Sequence, residues 1–99
     1  MHLANEVKTV ADMILQKLYD LSVGNPLICQ RLDLLFIELN NDAPHYIQDS
    51  LFDSGLGYAV DRKWIKYGET ANEVLLTVDG RIEVLTRRVL LGIGRELTW

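Results

Sequence analysis

The sequence predicts one mainly α-helical domain that carries a small β-hairpin. Its 99 residues are 48% hydrophobic and 24% charged and include only two prolines, a composition typical of a single globular core. Up to about residue 62, apolar residues recur at steps of three and four, which is the periodicity of amphipathic helices. Two later runs, residues 64–67 and 73–78, are short, rich in aromatic and β-branched residues and separated by a turn-like segment, the pattern of a hairpin.

The first predicted element is an N-terminal helix within residues 1–22. Met13 and Leu15 broaden its apolar stripe, which predicts contacts on two sides, with the chain's own core and with a partner. Gly24 and Pro26 then end the helix, because glycine tolerates a left-handed cap and proline cannot continue the hydrogen-bond ladder. The stripe itself consists of Leu3, Val7, Val10, Ile14, Leu18 and Leu21.

Two helices joined by a polar turn are predicted for residues 27–62. The earlier one, residues 27–39, is apolar nearly all round, which predicts a position at the centre of the core. Its run of residues 34–37 also fits a buried strand, although the length of the whole apolar stretch favours a helix.

The third helix is predicted to begin at Pro44, with the proline in its first turn, and to end near Arg62. Gly55 and Gly57 interrupt its pattern. Two glycines inside a helix cost roughly 1 kcal/mol each relative to alanine. A kinked helix, or two short helices that meet near residues 54–56, therefore stays open as an alternative.

A hairpin within residues 64–77 and a last helix within residues 79–99 complete the predicted order. Trp64 is expected in the core, where the hairpin meets the third helix. Apolar residues are expected on one side of the last helix and polar residues on the other. The apolar side carries Ile82, Leu85, Val89 and Ile93, and the polar side carries Arg81, Glu83, Thr86, Arg87 and Arg88.

Two segments have sequence patterns that fit this order of elements. One looks like the end of a recognition helix that runs into a strand: Tyr58, Ala59, Val60, Asp61, Arg62, Lys63, Trp64 and Ile65. The other ends in leucine and threonine followed by two residues and a glycine: Val74, Leu75, Leu76, Thr77, Val78, Asp79, Gly80 and Arg81. With them, the chain resembles the winged helix-turn-helix superfamily over residues 44–88, with three helices, a two-stranded wing and a C-terminal helix. The turn glycine would let the chain swing into the last helix.

The resemblance implies a small DNA-binding protein of transcription-regulator type. Its third helix would lie in a major groove of duplex DNA, and the loop of residues 68–72 would touch the flanking backbone. Asp49 and Asp53 depart from this role, because they would repel phosphates unless one of them accepts a hydrogen bond from cytosine. The implied DNA-binding residues are His45, Gln48, Arg62, Lys63, Lys66, Thr70 and Asn72.

Charge limits this interpretation to a local patch. The net charge is -4, whereas proteins dedicated to nucleic acids are usually basic overall. Residues 1–61 carry three bases against nine acids, and residues 62–99 carry seven bases against five acids. The alternative is a winged-helix module that binds a protein, or only itself, without binding DNA.

A homodimer is predicted from the broad stripe of the first helix and the apolar C-terminal tail, which Trp99 ends. The competing explanation is that both segments pack on their own core. In the dimer, Arg87, Arg88 and Arg95 would border the interface. Its predicted residues are Val7, Val10, Ile14, Leu90, Ile93, Leu97 and Trp99.

No catalytic set or cofactor motif is found, so an enzyme is not expected. His2 and His45 are expected on the surface, and Cys29 is expected as a small buried apolar residue. Two histidines and one cysteine do not fill a four-ligand zinc site. No apolar run approaches the ~20 residues of a membrane span, and the start of the chain lacks signal-peptide features, so a cytoplasmic location is expected.

Overall fold

The computed structural model describes residues 3–97, with side chains up to residue 91. Within that range the chain forms four helices and three short strands. In chain order they are α1 (Ala4–Ser22), β1 (Gln30–Arg31), α2 (Leu32–Asp42), α3 (Asp49–Asp61), β2 (Ile65–Tyr67), β3 (Glu73–Leu76) and α4 (Val78–Leu97). None of the helices in this range is both long and apolar enough to span a bilayer.

The predicted hairpin is confirmed, but it belongs to a three-stranded sheet. Strands β2 and β3 pair antiparallel, with Ile65 opposite Leu76. Strand β1 pairs with the other edge of β3, so the strand order is β1-β3-β2, and Gln30 lies opposite Val74. The sequence missed β1 because two residues are too few to show strand periodicity. They lie inside the stretch that was predicted as the second helix.

Both inner helices begin later than the sequence predicted. The second starts at Leu32 rather than residue 27, and the third starts at Asp49 rather than Pro44. Residues 44–48 instead form a loop held by Asn40, whose side-chain oxygen accepts the N–H of Ile47 at 2.7 Å. Ile47 is buried, so the loop is anchored in the core without being helical.

The third helix continues without interruption through both glycines. Gly55 lies against α1, where a built Cβ would be 2.7 Å from the Cγ1 atom of Val10. This glycine therefore allows α1 and α3 to approach closely, and its helix-propensity cost is offset by that packing. Gly57 faces open space.

Helix α1, not α2, is the centre of the core. Its buried residues contact α3, α2, the sheet and α4. Only Leu35 and Leu39 of α2 are buried, while Leu34 and Ile37 remain about half exposed, which corrects the predicted central position of the second helix. The core consists of Val10, Ala11, Ile14, Leu15, Leu18, Leu35, Leu39, Ile47, Phe52, Leu56, Ala59, Trp64, Ile65, Val74, Leu76 and Val84.

Thr77 joins the end of α3, the hairpin and α4. Its hydroxyl donates to the carbonyl oxygens of Lys63 and Trp64 and accepts the N–H of Gly80 at 2.9 Å, so that it caps α4. Gly80 packs directly on this junction, since a built Cβ would lie 2.1 Å from the Trp64 carbonyl oxygen. Gly80 is helical, with no positive φ, so a close approach rather than the predicted swing of the chain requires glycine there.

Helix α4 packs on the rest of the chain through its polar side, which is the reverse of what its amphipathic pattern predicts. Its arginine side faces α1: Arg87 pairs with Asp12 at 3.1 Å, and Arg88 lies near Asp20 at 3.4 Å. Val84 is buried at the same junction. Ile82, Leu85 and Val89 of the predicted apolar side are exposed instead, and the side chain of Ile93 lies outside the described residues.

Replacing Gly80 with alanine tests the close approach at the junction. Because the new methyl group would meet a backbone carbonyl, we expect Gly80→Ala to lower the free energy of unfolding by about 1–3 kcal/mol. The matched control is Gly57→Ala, which meets nothing within 4 Å and should raise that free energy by roughly 1 kcal/mol. Urea unfolding followed by circular dichroism measures both, and equal effects of the two substitutions would contradict the packing described.

Candidate nucleic-acid interface

Three cations come together where α3 passes into the hairpin. Arg62, Lys63 and Lys66, here called the basic cluster, are all exposed. Among the ion pairs of the described residues, none involves a member of this cluster, whereas Lys17, Arg31, Arg87 and Arg88 all have acidic partners. Within the part of the chain that the structure describes, no carboxylate lies within ion-pair distance of these three charges.

The end of α3 determines where the basic cluster lies. The N–H of Trp64 donates to the carbonyl of Ala59 at 3.1 Å, and the N–H of Lys63 donates to that of Val60 at 2.9 Å. These two bonds form a Schellman motif, in which the residue after the cap is left-handed and is usually glycine. Lys63 occupies that position with a φ of 64°. A lysine there adopts a backbone conformation that L residues disfavour.

Arg62 of the basic cluster packs against an aromatic side chain. The Arg62 guanidinium lies 5.2 Å from the Tyr58 ring centroid, and its Nη2 donates to the Tyr58 hydroxyl at 3.0 Å. The Tyr58 ring packs edge-on against Trp64, with centroids 6.1 Å apart. The spacing of four residues between Tyr58 and Arg62 was the indication of this contact that the sequence offered. The predicted core position of Trp64 is confirmed, since it is 9% exposed.

Arg87, on α4, contacts the same Trp64 side chain. Its guanidinium lies 5.0 Å from the Trp64 ring centroid and donates to Glu83 at 2.9 Å. Burial lowers the pKa of Arg87, but the Glu83 hydrogen bond and the Asp12 charge raise it by more, so the net pKa lies above its ordinary value. Arg87 is thus a fixed structural cation and not a free member of the basic cluster.

The exposed side of α3 is acidic. Asp49, Asp53 and Asp61 are exposed, and the helix contains no lysine or arginine. Phe52 of the same helix is buried, with its ring centroid 5.0 Å from that of Phe36. The side of α3 that would enter a DNA groove therefore repels phosphates along most of its length.

His45 and Gln48 lie at the other end of α3 from the basic cluster. Both are exposed in the loop before the helix, and Gln48 borders a recess with Glu6 and Tyr46. A helix of 13 residues is about 20 Å long, so these two residues do not share a compact site with Arg62 and Lys63.

Polar groups of the loop between β2 and β3 form hydrogen bonds within the protein. The Thr70 hydroxyl donates to Glu73 at 3.0 Å and accepts the N–H of Asn72 at 3.3 Å. The Asn72 carbonyl accepts the N–H of Leu32 at 2.8 Å, which ties the loop to the start of α2. Thr70 and Asn72 are exposed, but they lie at the tip of the hairpin, away from the cluster at its base.

The residues predicted for a dimer interface fall into three groups. Val10 and Ile14 are 4% and 0% exposed in the chain's own core, so the structure corrects their assignment to a partner-facing surface. Val7 is partly exposed and Leu90 is exposed. The side chains of Ile93, Arg95 and Leu97, as well as all of Trp99, lie outside the described residues.

The remaining candidate residues form no second site. Cys29 is exposed, which corrects its predicted burial: the chain before β1 runs along the surface, and the sulfur lies beside Gly68. His2 lies outside the described residues. Within the described part of the chain, no group of three or more histidine, cysteine or acidic side chains is placed to hold a metal ion.

Comparison with known proteins adds no relative. No family model matches the chain, and neither a curated protein nor a solved structure matches it.

Lys63→Gly tests the left-handed position at the end of α3. Glycine adopts this conformation without strain, so we expect the free energy of unfolding to rise by about 1 kcal/mol. Lys63→Ala removes the same charge but keeps the strained backbone, and it should leave stability nearly unchanged. Thermal unfolding of the two variants gives the comparison; if both are equally stable, the strain assigned to Lys63 is absent.

Proposed function

We propose that the chain is a winged helix-turn-helix domain that binds duplex DNA without catalysis, as a transcription regulator of this type does. Support comes from the order of its elements, in which α3 is followed by the β2–β3 hairpin and then by α4. The contact is made by the basic cluster at the base of the hairpin. The cluster donates to phosphates, because lysine and arginine supply most non-specific affinity for DNA.

The observation that carries this proposal is the conformation of Lys63. Glycine would relieve the left-handed backbone, yet the position holds a lysine between two other exposed cations. Residues held in unfavourable backbone regions concentrate at functional sites. We therefore assign a contact with phosphate to the positive charge at this position.

Acidic residues determine how DNA approaches. Asp49 and Asp53 are in the first half of α3, and Asp61 is at its end, next to the cluster. A duplex that lies along the whole of α3 would bring its phosphates close to all three. We therefore infer that DNA contacts the base of the hairpin and the last turn of α3, with the first turns of α3 held away from the backbone.

The salt dependence of duplex binding tests the basic cluster. Each phosphate contact contributes a slope of about -0.9 to log K against log salt, so replacing Arg62, Lys63 and Lys66 with alanine should remove roughly three units of slope. Fluorescence anisotropy with a short labelled duplex between about 50 and 200 mM salt measures it.

Two single substitutions control that measurement. Lys66→Ala should remove about one unit of slope, whereas Lys8→Ala, which removes an exposed cation from α1, should remove none. Equal slopes for the wild type and the triple alanine variant would show that the basic cluster does not contact DNA.

A second function, a protein-binding module without DNA binding, is favoured by the acidic side of α3. Under that alternative the wild type does not bind a duplex even at low salt. It binds a lysine-rich peptide instead, and Asp49→Asn together with Asp53→Asn weakens that binding by removing two charges. Titration calorimetry with such a peptide separates the two functions.

A further inference from the structure

The exposed face of α4 is an apolar surface that the proposed DNA contact does not use. Val78, Ile82, Leu85 and Val89 form a continuous stripe, and all four are at least 39% exposed. Leu90 and Thr86 join them around a shallow, almost wholly apolar recess. Apolar side chains that lie together on a surface in this way mark an interaction site more often than scattered ones do.

The opposite side of α4 is already occupied, so the helix cannot rotate to bury this stripe. Val84 is buried against the core, while Arg87 and Arg88 pair with Asp12 and Asp20 of α1. Gly80 is in contact with the Trp64 carbonyl. With 100° per residue, Gly80, Val84 and Arg87 lie on the side away from the stripe, whereas Arg88 lies at its border.

The spacing of the stripe indicates what covers it. Its residues follow one another at steps of four, three and four, which is the a and d pattern of a helix pair. Ile82 and Val89 take the a positions and Leu85 takes a d position. Within parallel pairs, β-branched residues at a with leucine at d favour two strands, and Val78 takes the other d position. The recess is placed as the hole that receives a side chain of the facing helix.

The charges beside the stripe favour the same arrangement. Arg81 and Arg88 lie at g positions on one border. A parallel pair places Arg81 beside Thr86 of the second copy, whereas an antiparallel pair places arginine opposite arginine. An anionic membrane surface is a poorer partner, because Asp79, at an e position, also borders the face and the chain carries a net charge of -4.

We propose that a second copy of this chain covers the α4 face, with the two α4 helices parallel and related by a two-fold axis. This pairing replaces Val10 and Ile14 as the contact and does not depend on DNA binding. Because α4 follows the hairpin directly, parallel α4 helices place both basic clusters at the same end of the dimer. That position would allow two clusters to contact one duplex.

Sedimentation equilibrium of the full chain tests the pairing. The wild type should be a dimer. Val89→Asp places a carboxylate in the apolar seam of each copy and should weaken dimerisation by roughly a hundredfold or more. The matched control is Ile37→Asp, an exposed apolar residue of α2 that is 53% exposed against 60% for Val89, and it should leave the dimer intact.

Circular dichroism establishes that each variant is folded, and Val89→Ser, which has no charge, should weaken the dimer in the same direction. The proposal is overturned if the wild type is monomeric at every concentration. It is also overturned if folded Val89→Asp and Val89→Ser remain as dimeric as the wild type, or if only Ile37→Asp dissociates.

A disulfide cross-link tests the parallel orientation. In a Cys29→Ser background, Val89→Cys places the same residue of each copy side by side, so oxidised glutathione should produce a covalent dimer. Leu34→Cys on α2 serves as the control and should not cross-link. A non-covalent dimer that fails to cross-link at residue 89 would rule out the parallel arrangement. The salt slope of monomeric Val89→Asp on a short duplex separately reports whether the basic cluster still binds DNA.

Discussion

The approach of α4 to the Trp64 carbonyl is the contact on which the second half of the molecule depends. Gly80 permits that approach, and Thr77 fixes it by hydrogen-bonding to the carbonyls of residues 63 and 64 while capping α4. The same few atoms hold the end of α3, the base of the hairpin and the first turn of α4. The position of the basic cluster and the outward direction of the apolar stripe both follow from this junction.

The arginines of α4 are engaged in structural contacts, whereas the basic cluster is exposed to solvent. Arg87 and Arg88 are used to attach α4 to α1, through Asp12 and Asp20 and through contacts with aromatic rings. The basic cluster has no acidic ion-pair partner among the described residues, although Arg62 packs on the Tyr58 ring. The basic cluster is thus a small exposed cationic surface on an overall acidic chain, and that surface, rather than the net charge, carries the proposed contact with phosphates.

Sequence periodicity located the larger elements because each buries one face. The stripe of α1 and the paired runs of the hairpin were recognisable on that ground. The two-residue strand β1 and the loop before α3 were not, because both depend on tertiary contacts, such as that of Asn40 with Ile47. The candidate residues around Arg62 follow from adjacency in sequence, whereas the distance of His45 and Gln48 from them could be measured only in the fold.

Which side of α4 faces the core was the feature hardest to predict from the sequence. An amphipathic helix is expected to bury its apolar side, but ion pairs and a glycine contact can attach the polar side instead. Only the partners Asp12 and Asp20, more than 60 residues away in sequence, reveal that reversal.

Residue-by-residue amide spectra recorded during titration with a short duplex locate the surface of the chain that contacts DNA. If the base of the hairpin is the contact surface, the largest chemical-shift changes at low salt will fall on Arg62, Lys63 and Lys66 and will vanish as salt is added. Changes centred on Asp49 and Asp53, or no changes at any salt concentration, would contradict this placement of the contact surface.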